Sequence, residues 1–553
     1  MATPRLQQSI DDAALSLLNQ IDRDPHSRLR GCCDRRFWAW KLVDFPDATL
    51  QRAVQPLAFA VSHSPGCFPV PDAAVVDAVR NALVFLGQIQ HPDGSFDQAY
   101  PQEHSVAGTA FILDSAIAAM SVVQHHCDDT SRALIVQMFE RAAGFLCRQD
   151  ETHGAIGNHV AGSILALVRA EQLLKRAEYG TRADALLDVL LASQADEGWF
   201  PEYGGCDPGY MSLCVYYLAQ VQRLRPRAQL ATALERAVVF LSHFVHPDGT
   251  FGGIYGSRRT AVYYPGGVAL LGETQPLAAR MTRRMLDAAE ARRLMGPGHP
   301  DVGNAVPVLA NYQLALDAAV RMTTDDAVRL PFEEGQSADF PKAGLFVRAS
   351  ASMWAIVGAA NGGTVAVWHR ASGQRLHDDG GWTAASGEHR WTTQVTSAEP
   401  NVRCEGSHVV VTAPFRVMSQ RVPGVLPFVG LRLASWALQW PAIGERVKAM
   451  MVRVLMTGGA TVDARTERTV VVSADGVDVE DVLSGDAGFW RRLSRVTCGV
   501  PFNAIHMASA GYVVPMTRTL EPVAADLRPL ASAGRTTIRV RVTHDGTRIV
   551  SVE

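Results

Sequence analysis

From Leu6 to about Met322, apolar residues recur at helical spacing in roughly a dozen segments, which pair into about six hairpins. Four of the segments end in a related turn. These read FLGQIQHPDGSF (85–96), FLCRQDETHGAI (145–156), LLASQADEGWF (190–200) and FLSHFVHPDGTF (240–251). In each, a helical run stops at Asp-Gly or a lone Gly and is followed by an aromatic or apolar residue. Glycine supplies the positive φ that ends a helix, and aspartate favours the turn. The spacing of roughly 45–60 residues is that of a helical hairpin repeat. One hairpin cannot bury its apolar face, but hairpins set side by side can close into an α/α toroid whose rim loops line a cleft.

The pattern changes after Thr323. Residues alternate in period two through GLFVRAS, GTVAVWHR, SHVVVTAPFRV, ERTVVVSA and TTIRVRVTHDGTRIVSV, with HDG as a hairpin turn. The predicted architecture is α+β and multidomain. An (α/α) toroid spans 1–323, a polar linker 324–341, and an antiparallel β-sandwich 342–553. The sandwich is interrupted at 422–456 by an apolar segment that holds Arg432, Arg446, Lys448 and Arg453. That insertion reads as a helix packed between the domains. Its alternative is weak contact with a membrane surface.

Composition narrows the function classes. Of the 553 residues, 47% are hydrophobic and 19% charged, and the net charge is −3 with both signs dispersed. This is globular composition, without the basic footprint or motif spacing of a nucleic-acid binder. The nine cysteines include no CxxC, which suits buried thiols in a reducing compartment. The N-terminus carries acids inside its apolar stretch and has no signal-peptide core, so a cytoplasmic setting is expected.

Polar and aromatic residues concentrate in the loops of the helical half: 32–46, 102–111, 157–163, 198–213 and 252–267. Loops at a repeat rim are where binding groups gather. The Asn-His pair opening a helix, the EYGG…DPGY turn, the YGSRxT…YYPGG turn and the β-rich second half together resemble the heparinase II/III-like proteins, relatives of polysaccharide lyases for uronate glycans. The resemblance covers nearly the whole chain. It implies β-elimination on a uronate-containing polysaccharide or oligosaccharide. A base removes the proton at C5, next to a carboxylate, and the C4 oxygen leaves. The carboxylate must first be neutralised by Asn, protonated His or Arg, while Tyr or His moves the proton.

On that basis Asn158 and His159 are candidates for neutraliser and base, Tyr210 and Tyr255 for the acid/base, and Arg258 for the carboxylate grip. Glu103, His104, Trp199, Tyr203, Arg259 and Tyr264 are candidates for substrate binding. Asp34 and Trp38 form either a sugar-stacking wall or an N-terminal plug. The partner expected is an anionic glycan, with no cofactor required. His369, His377 and Asp378 are weak candidates for a structural divalent metal, although no HxH or HExxH spacing supports one. Three other functions stay open: a uronosyl C5-epimerase or other glycan-modifying enzyme, a glycan-binding scaffold, and a glycoside hydrolase. The hydrolase would draw two carboxylates from Asp97, Glu103, Glu202 and Asp207.

Overall fold

The computed structural model describes residues 3–552 except 152–155, 204, 323–324, 326, 419–423, 439, 441–442, 445, 448–459 and 500–521. Helices α1 (Pro4–Leu18), α2 (Val54–His63), α3 (Asp72–Ile89), α4 (Val106–Val123), α5 (Asp129–Arg148), α6 (Gly157–Leu174), α7 (Ala177–Ala192), α8 (Pro208–Leu224), α9 (Ala228–Ser242), α10 (Pro265–Leu271), α11 (Pro276–Glu290) and α12 (Val302–Ala319) build the first half. The even-numbered helices pack in a closed ring, α2–α4–α6–α8–α10–α12 and back to α2. The odd-numbered helices lie outside it. This is the expected toroid of six hairpins.

Position in the ring explains the two kinds of helix. Helix α11, PLAARMTRRMLDAAE, is outer and amphipathic, burying its Ala and Met face and leaving arginines outward. Helix α4, VAGTAFILDSAIAAMSVV, is inner and touches neighbours on several sides, so it is apolar nearly all round. Residues Val106–His126 are long and apolar enough to cross a membrane, yet this stretch is largely buried in the toroid. Three of the four repeat turns are as read, and Gly154 of the fourth lies outside the described residues. Gly94, Gly198 and Gly249 have φ of +100°, +101° and +87°, and a side chain on Gly94 would collide with the Arg141 carbonyl of α5.

The inner helices all begin at one rim. Their positive dipole ends therefore point into the same mouth, a setting that favours an anion.

The second half forms two antiparallel sheets. The first has the order β1 (Ala338–Phe340), β2 (Leu345–Ala349), β3 (Met353–Gly358), β4 (Thr364–His369), β5 (Arg375–Asp379). It is buried on both faces. Leu345, Val347, Trp354, Ile356, Ala366 and Trp368 join the toroid core. The alternate residues Phe346, Met353, Ala355, Val357, Val365 and Val367 face the second sheet. A two-sided strand has no polar face to show, which is why MWAIVG and TVAVWH are nearly unbroken apolar runs and the alternation expected of the latter does not hold. The larger sheet is built around β6 (Trp382–Ser386), β7 (His389–Thr392), β8 (Asn401–Glu405), β9 (His408–Val417), then, beyond helix α13 (Val425–Leu438), β10 (Thr461–Val472) and β11 (Gly476–Gly485).

Two segments differ from expectation. Within 324–341, residues Pro331–Glu334 are helical and Ala338–Phe340 is a strand. Arg370 donates to the carbonyls of Phe332 (2.9 Å) and Glu333 (3.0 Å), so this stretch is fixed to the first sheet. The insertion at 422–456 falls partly outside the described residues. Its described helix α13 is not packed between domains but exposed, with Leu426 at 83% and Leu433 at 77%.

Candidate active site

The N-terminal turn of α6 carries Asn158 and His159 to the shared rim. Gly157 precedes them and donates its N–H to the Pro201 carbonyl (2.8 Å), beside an antiparallel bridge between Ile156 and Glu202. This pairing draws the 198–207 turn against the start of α6. Asn158, nearly inaccessible, donates from Nδ2 to Glu202 Oε2 at 2.8 Å. The other Glu202 oxygen is buried with no hydrogen-bond partner among the described residues. Burial pushes the Glu202 carboxyl up to about 7, against the opposing pull of His159, Arg258 and the Asn158 amide.

His159 is held from its other side. Its Nδ1 lies 2.9 Å from Glu151 Oε2, and its ring meets Phe111 edge-on. Burial alone would lower the imidazole's pKa, but the neighbouring Glu151 charge and hydrogen bond raise it above the ordinary value. His159 is therefore poised to stay cationic.

Helix α8 brings the tyrosine. Asp207 caps it, accepting from the backbone N–H of Tyr210 at 3.0 Å. The same carboxylate accepts from the N–H groups of Arg258 (2.9 Å) and Thr260 (3.2 Å). One buried side chain thus fixes Tyr210 and the 252–264 loop together. The Arg258 guanidinium lies over both Tyr203 (4.6 Å) and Tyr210 (5.2 Å). Burial raises the pKa of both phenols and Arg258 opposes it.

The sandwich supports this loop from behind. Asn361 donates to the carbonyls of Ile254 (3.1 Å) and Gly256 (2.6 Å), and Thr396 donates to that of Ser257 (3.2 Å). Arg258 thus owes its placement to residues more than a hundred positions away.

The structure brings together Asn158, His159, Tyr203, Tyr210 and Arg258, with Glu151 and Glu202 behind them. It does not bring in the other candidates. Tyr255 is buried, its hydroxyl 2.6 Å from His246 Nε2, and His246 stacks on Trp368 at 4.1 Å. Tyr255 is therefore part of the toroid–sheet packing rather than the acid/base. Tyr264 is wholly buried. The Trp199 indole donates to Glu197 at 2.8 Å. Arg259 turns away to the Gln394 carbonyl. Glu103 accepts from the N–H groups of Gln98 (3.0 Å) and Ala99 (2.6 Å), and His104 bonds Asp93 and Ser95 at 2.7 Å each. Both close their own loop. Asp34 is buried against the N–H groups of Arg36 and Asp47, and the Trp38 indole donates to the Gln20 carbonyl, so the plug is what forms.

Three of the four hydrolase candidates are spent on backbone N–H groups, while Glu202 keeps one buried oxygen with no hydrogen-bond partner among the described residues. Asp97 accepts three backbone N–H groups, Asp207 is a cap, and Glu202 holds Asn158. The residue that sequence reasoning missed is Glu151, which belongs to a repeat turn without a motif of its own.

The metal candidates do not gather. His369 bonds Ser372, and Asp378 pairs with Arg375 at 2.6 Å. His377 is buried 3.9 Å from Asp379. Asp379, Asp481 and Cys498 do converge. Arg468 lies among them, 3.1 Å from Asp379, 2.7 Å from Asp481 and 3.0 Å from the Cys498 sulfur. A guanidinium thus supplies the positive charge that these acids need.

A cavity of about 520 Å³ opens at the opposite mouth, lined by Ile117, Arg169, Gln220, Leu224 and Leu270 among others. Its Arg169 is already paired with Asp114 (3.0 Å) and Gln220 (2.7 Å). Glu202, with one buried oxygen that has no hydrogen-bond partner among the described residues, lies at the other rim.

Comparison with known proteins agrees with the fold. Residues 70–284, most of the toroid, match the family described as Ulvan lyase N-terminal domain. Chondroitin AC lyase of Streptomyces coelicolor A3 shares the architecture over 90% of this chain and 68% of its own, at 11% identity and a TM-score of 0.52. Heparinase III does so over 100% of this chain and 82% of its own, at 13% identity and a TM-score of 0.50. No curated protein gives a significant sequence match. The resemblance read from the motifs thus holds for the toroid-plus-sandwich fold.

Proposed function

We propose that this chain is a polysaccharide lyase that cleaves a uronate-containing glycan by β-elimination at the rim of its toroid. The observation that carries the reading is the convergence of an amide, an imidazole held cationic, a guanidinium and two phenols on one anion-favouring mouth. The match of residues 70–284 to an ulvan lyase domain supports the class.

The residues divide the work by chemistry. Asn158 and cationic His159 receive the substrate carboxylate, spread its charge and so make the C5 proton acidic. Glu202 orients the Asn158 amide, and Glu151 keeps His159 protonated. Tyr210 takes the C5 proton as the phenolate, the form that Arg258 above its ring stabilises. Electrons from the C5–H bond form the C4–C5 double bond as the C4–O4 bond breaks. Tyr210 then returns its proton to O4. The products are a fragment with an unsaturated uronate at its new non-reducing end and a fragment with a new reducing end.

A second reading has one observation in its favour: Tyr203 and Tyr210 both lie under Arg258. Two phenols could serve opposite faces of C5, giving epimerisation without bond cleavage. Ultraviolet absorbance of unsaturated uronates, followed over a panel of uronate glycans alongside deuterium uptake in heavy water, separates the two. Absorbance that rises with wild type and not with Asn158→Ala supports the lyase. Deuterium uptake without absorbance supports the epimerase, and neither signal on any glycan removes both.

A further inference from the structure

Helix α13 is the surface that the molecule's own packing leaves unexplained. Its sequence, VLPFVGLRLASWAL, is apolar on every side. Val425, Leu426, Phe428, Val429 and Leu433 are all exposed. An ordinary surface helix hides one apolar stripe and shows a polar face, and this helix shows its apolar residues instead. The exposure continues past its end at Trp440 and Ile443.

A second exposed apolar element lies beside it. Arg432 of α13 pairs with Asp44 at 3.0 Å and sits over the Phe45 ring at 5.5 Å. The same toroid loop carries Trp40 and Leu42, exposed at 65% and 87%. A crossover of the sandwich and a loop of the toroid are thus tied into one apolar surface.

Charge identifies what covers it. Between the end of β9 and the start of β10 the sequence has five cations, Arg421, Arg432, Arg446, Lys448 and Arg453, against a single anion, Glu445. The toroid loop adds the exposed cations Arg35 and Lys41, while its Asp34 pairs with Arg36 and its Asp44 with Arg432. This is a basic region in a chain of net charge −3. A soluble anionic glycan would meet the cations and leave the leucines in water. A protein partner would cover one side of a helix that is apolar on all sides. Exposed apolar side chains beside the exposed cations Arg35, Lys41 and Arg446, with Trp40 and Trp440 at the edge, match the interface of an anionic bilayer. Fourteen residues of helix reach about 21 Å, short of the roughly 30 Å hydrocarbon core, so the helix would lie in the interface rather than cross it.

We propose that α13 and the 36–42 loop form a docking surface for an anionic phospholipid membrane. The test is flotation of the full chain with vesicles of phosphatidylcholine alone and of phosphatidylcholine mixed with phosphatidylglycerol. Binding is expected on the mixed vesicles, falling with added salt. The double variant Leu426→Ser/Leu433→Ser should lose tenfold or more of it. Its thermal midpoint should stay unchanged, because neither side chain belongs to the core. Arg446→Glu should weaken binding on the mixed vesicles only. Absence of binding to both vesicles overturns the proposal, as does binding that the serine variant leaves intact. Sedimentation velocity without lipid covers the remaining occupant. A dimer that the serine variant abolishes would assign the surface to a second copy and overturn the membrane reading.

Discussion

Two repeat turns of the toroid use nearly the same residue types to opposite ends. Before α4, Asp93, Asp97, Glu103, His91 and His104 crowd one loop. Before α6, Glu151, Asn158 and His159 do the same. In the first, the carboxylates of Asp97 and Glu103 accept backbone N–H groups of their own loop, His91 pairs with Asp97 at 2.9 Å, and the two imidazoles stack at 4.2 Å. In the second, the carboxylates bond side chains. Glu151 holds His159, and Glu202, from the next turn, holds Asn158. Part of the reason is backbone supply. The α4 loop contains Gln102 and His104 at positive φ, a conformation that turns N–H groups inward for acids to satisfy. Before α6, the Gly157 N–H is instead met by the neighbouring turn's Pro201 carbonyl, and Glu151 and Glu202 are left to orient the cluster.

The largest expected effect breaks this contrast or upholds it. Asn158→Ala and Tyr210→Phe should each cut turnover by ~10²–10⁴-fold with the fold intact by circular dichroism. His104→Ala should leave turnover within about threefold while lowering the thermal midpoint, since it loses loop hydrogen bonds of about 1 kcal/mol each. Equal losses of turnover in both turns would erase the distinction.

Next in size is Tyr255→Phe. It strips the hydroxyl from a buried His246 and should destabilise the chain by about 1–3 kcal/mol, as read by denaturant melts, with KM and kcat unchanged. A hundredfold loss of kcat would instead return Tyr255 to the chemistry.

The pH profile sharpens the role of Glu151. The proposed mechanism uses His159 as a cation and its pKa is raised, so activity should be present below that raised value and be lost as pH climbs through it. Glu151→Gln removes the leading cause of the increase and should move the falling limb of kcat/KM to lower pH. An unmoved limb would assign the titration to another group.

The smallest effect concerns stability. With Glu202 raised to about 7 from an ordinary 4.5, the folded state holds its proton more tightly than the unfolded one. That contribution is present below about 4.5 and is lost as pH rises to about 7. Glu202→Gln should therefore match wild type in thermal melts at low pH and gain relative to it above neutrality.

Much of the architecture was legible because period is a local property. Helical spacing, the Asp-Gly turns and the later alternation mark toroid and sandwich without any contact map. The Asn-His pair and the EYGG…DPGY turn also marked two loops that the structure brings together. Which tyrosine serves was not legible. Tyr210 and Tyr255 both sit in glycine-rich turns, and only burial against His246 and Trp368 separates them. Glu151 was silent because its partner is eight positions on, across a turn that carries no regular period.

The sequence by itself determined the helix and strand periods, the repeat, the turn glycines and the basic apolar insertion, since each depends on neighbours within a few residues. The tertiary structure decided which polar groups were consumed by backbone and which were left to face one another. Asp207 joins Tyr210 to Arg258 across 48 residues, and Asn361 and Thr396 fix that loop from the other domain. Hydrogen bonds and desolvation act through space, so the pairing of distant groups, and with it the state of His159 and Glu202, exists only once the chain has closed.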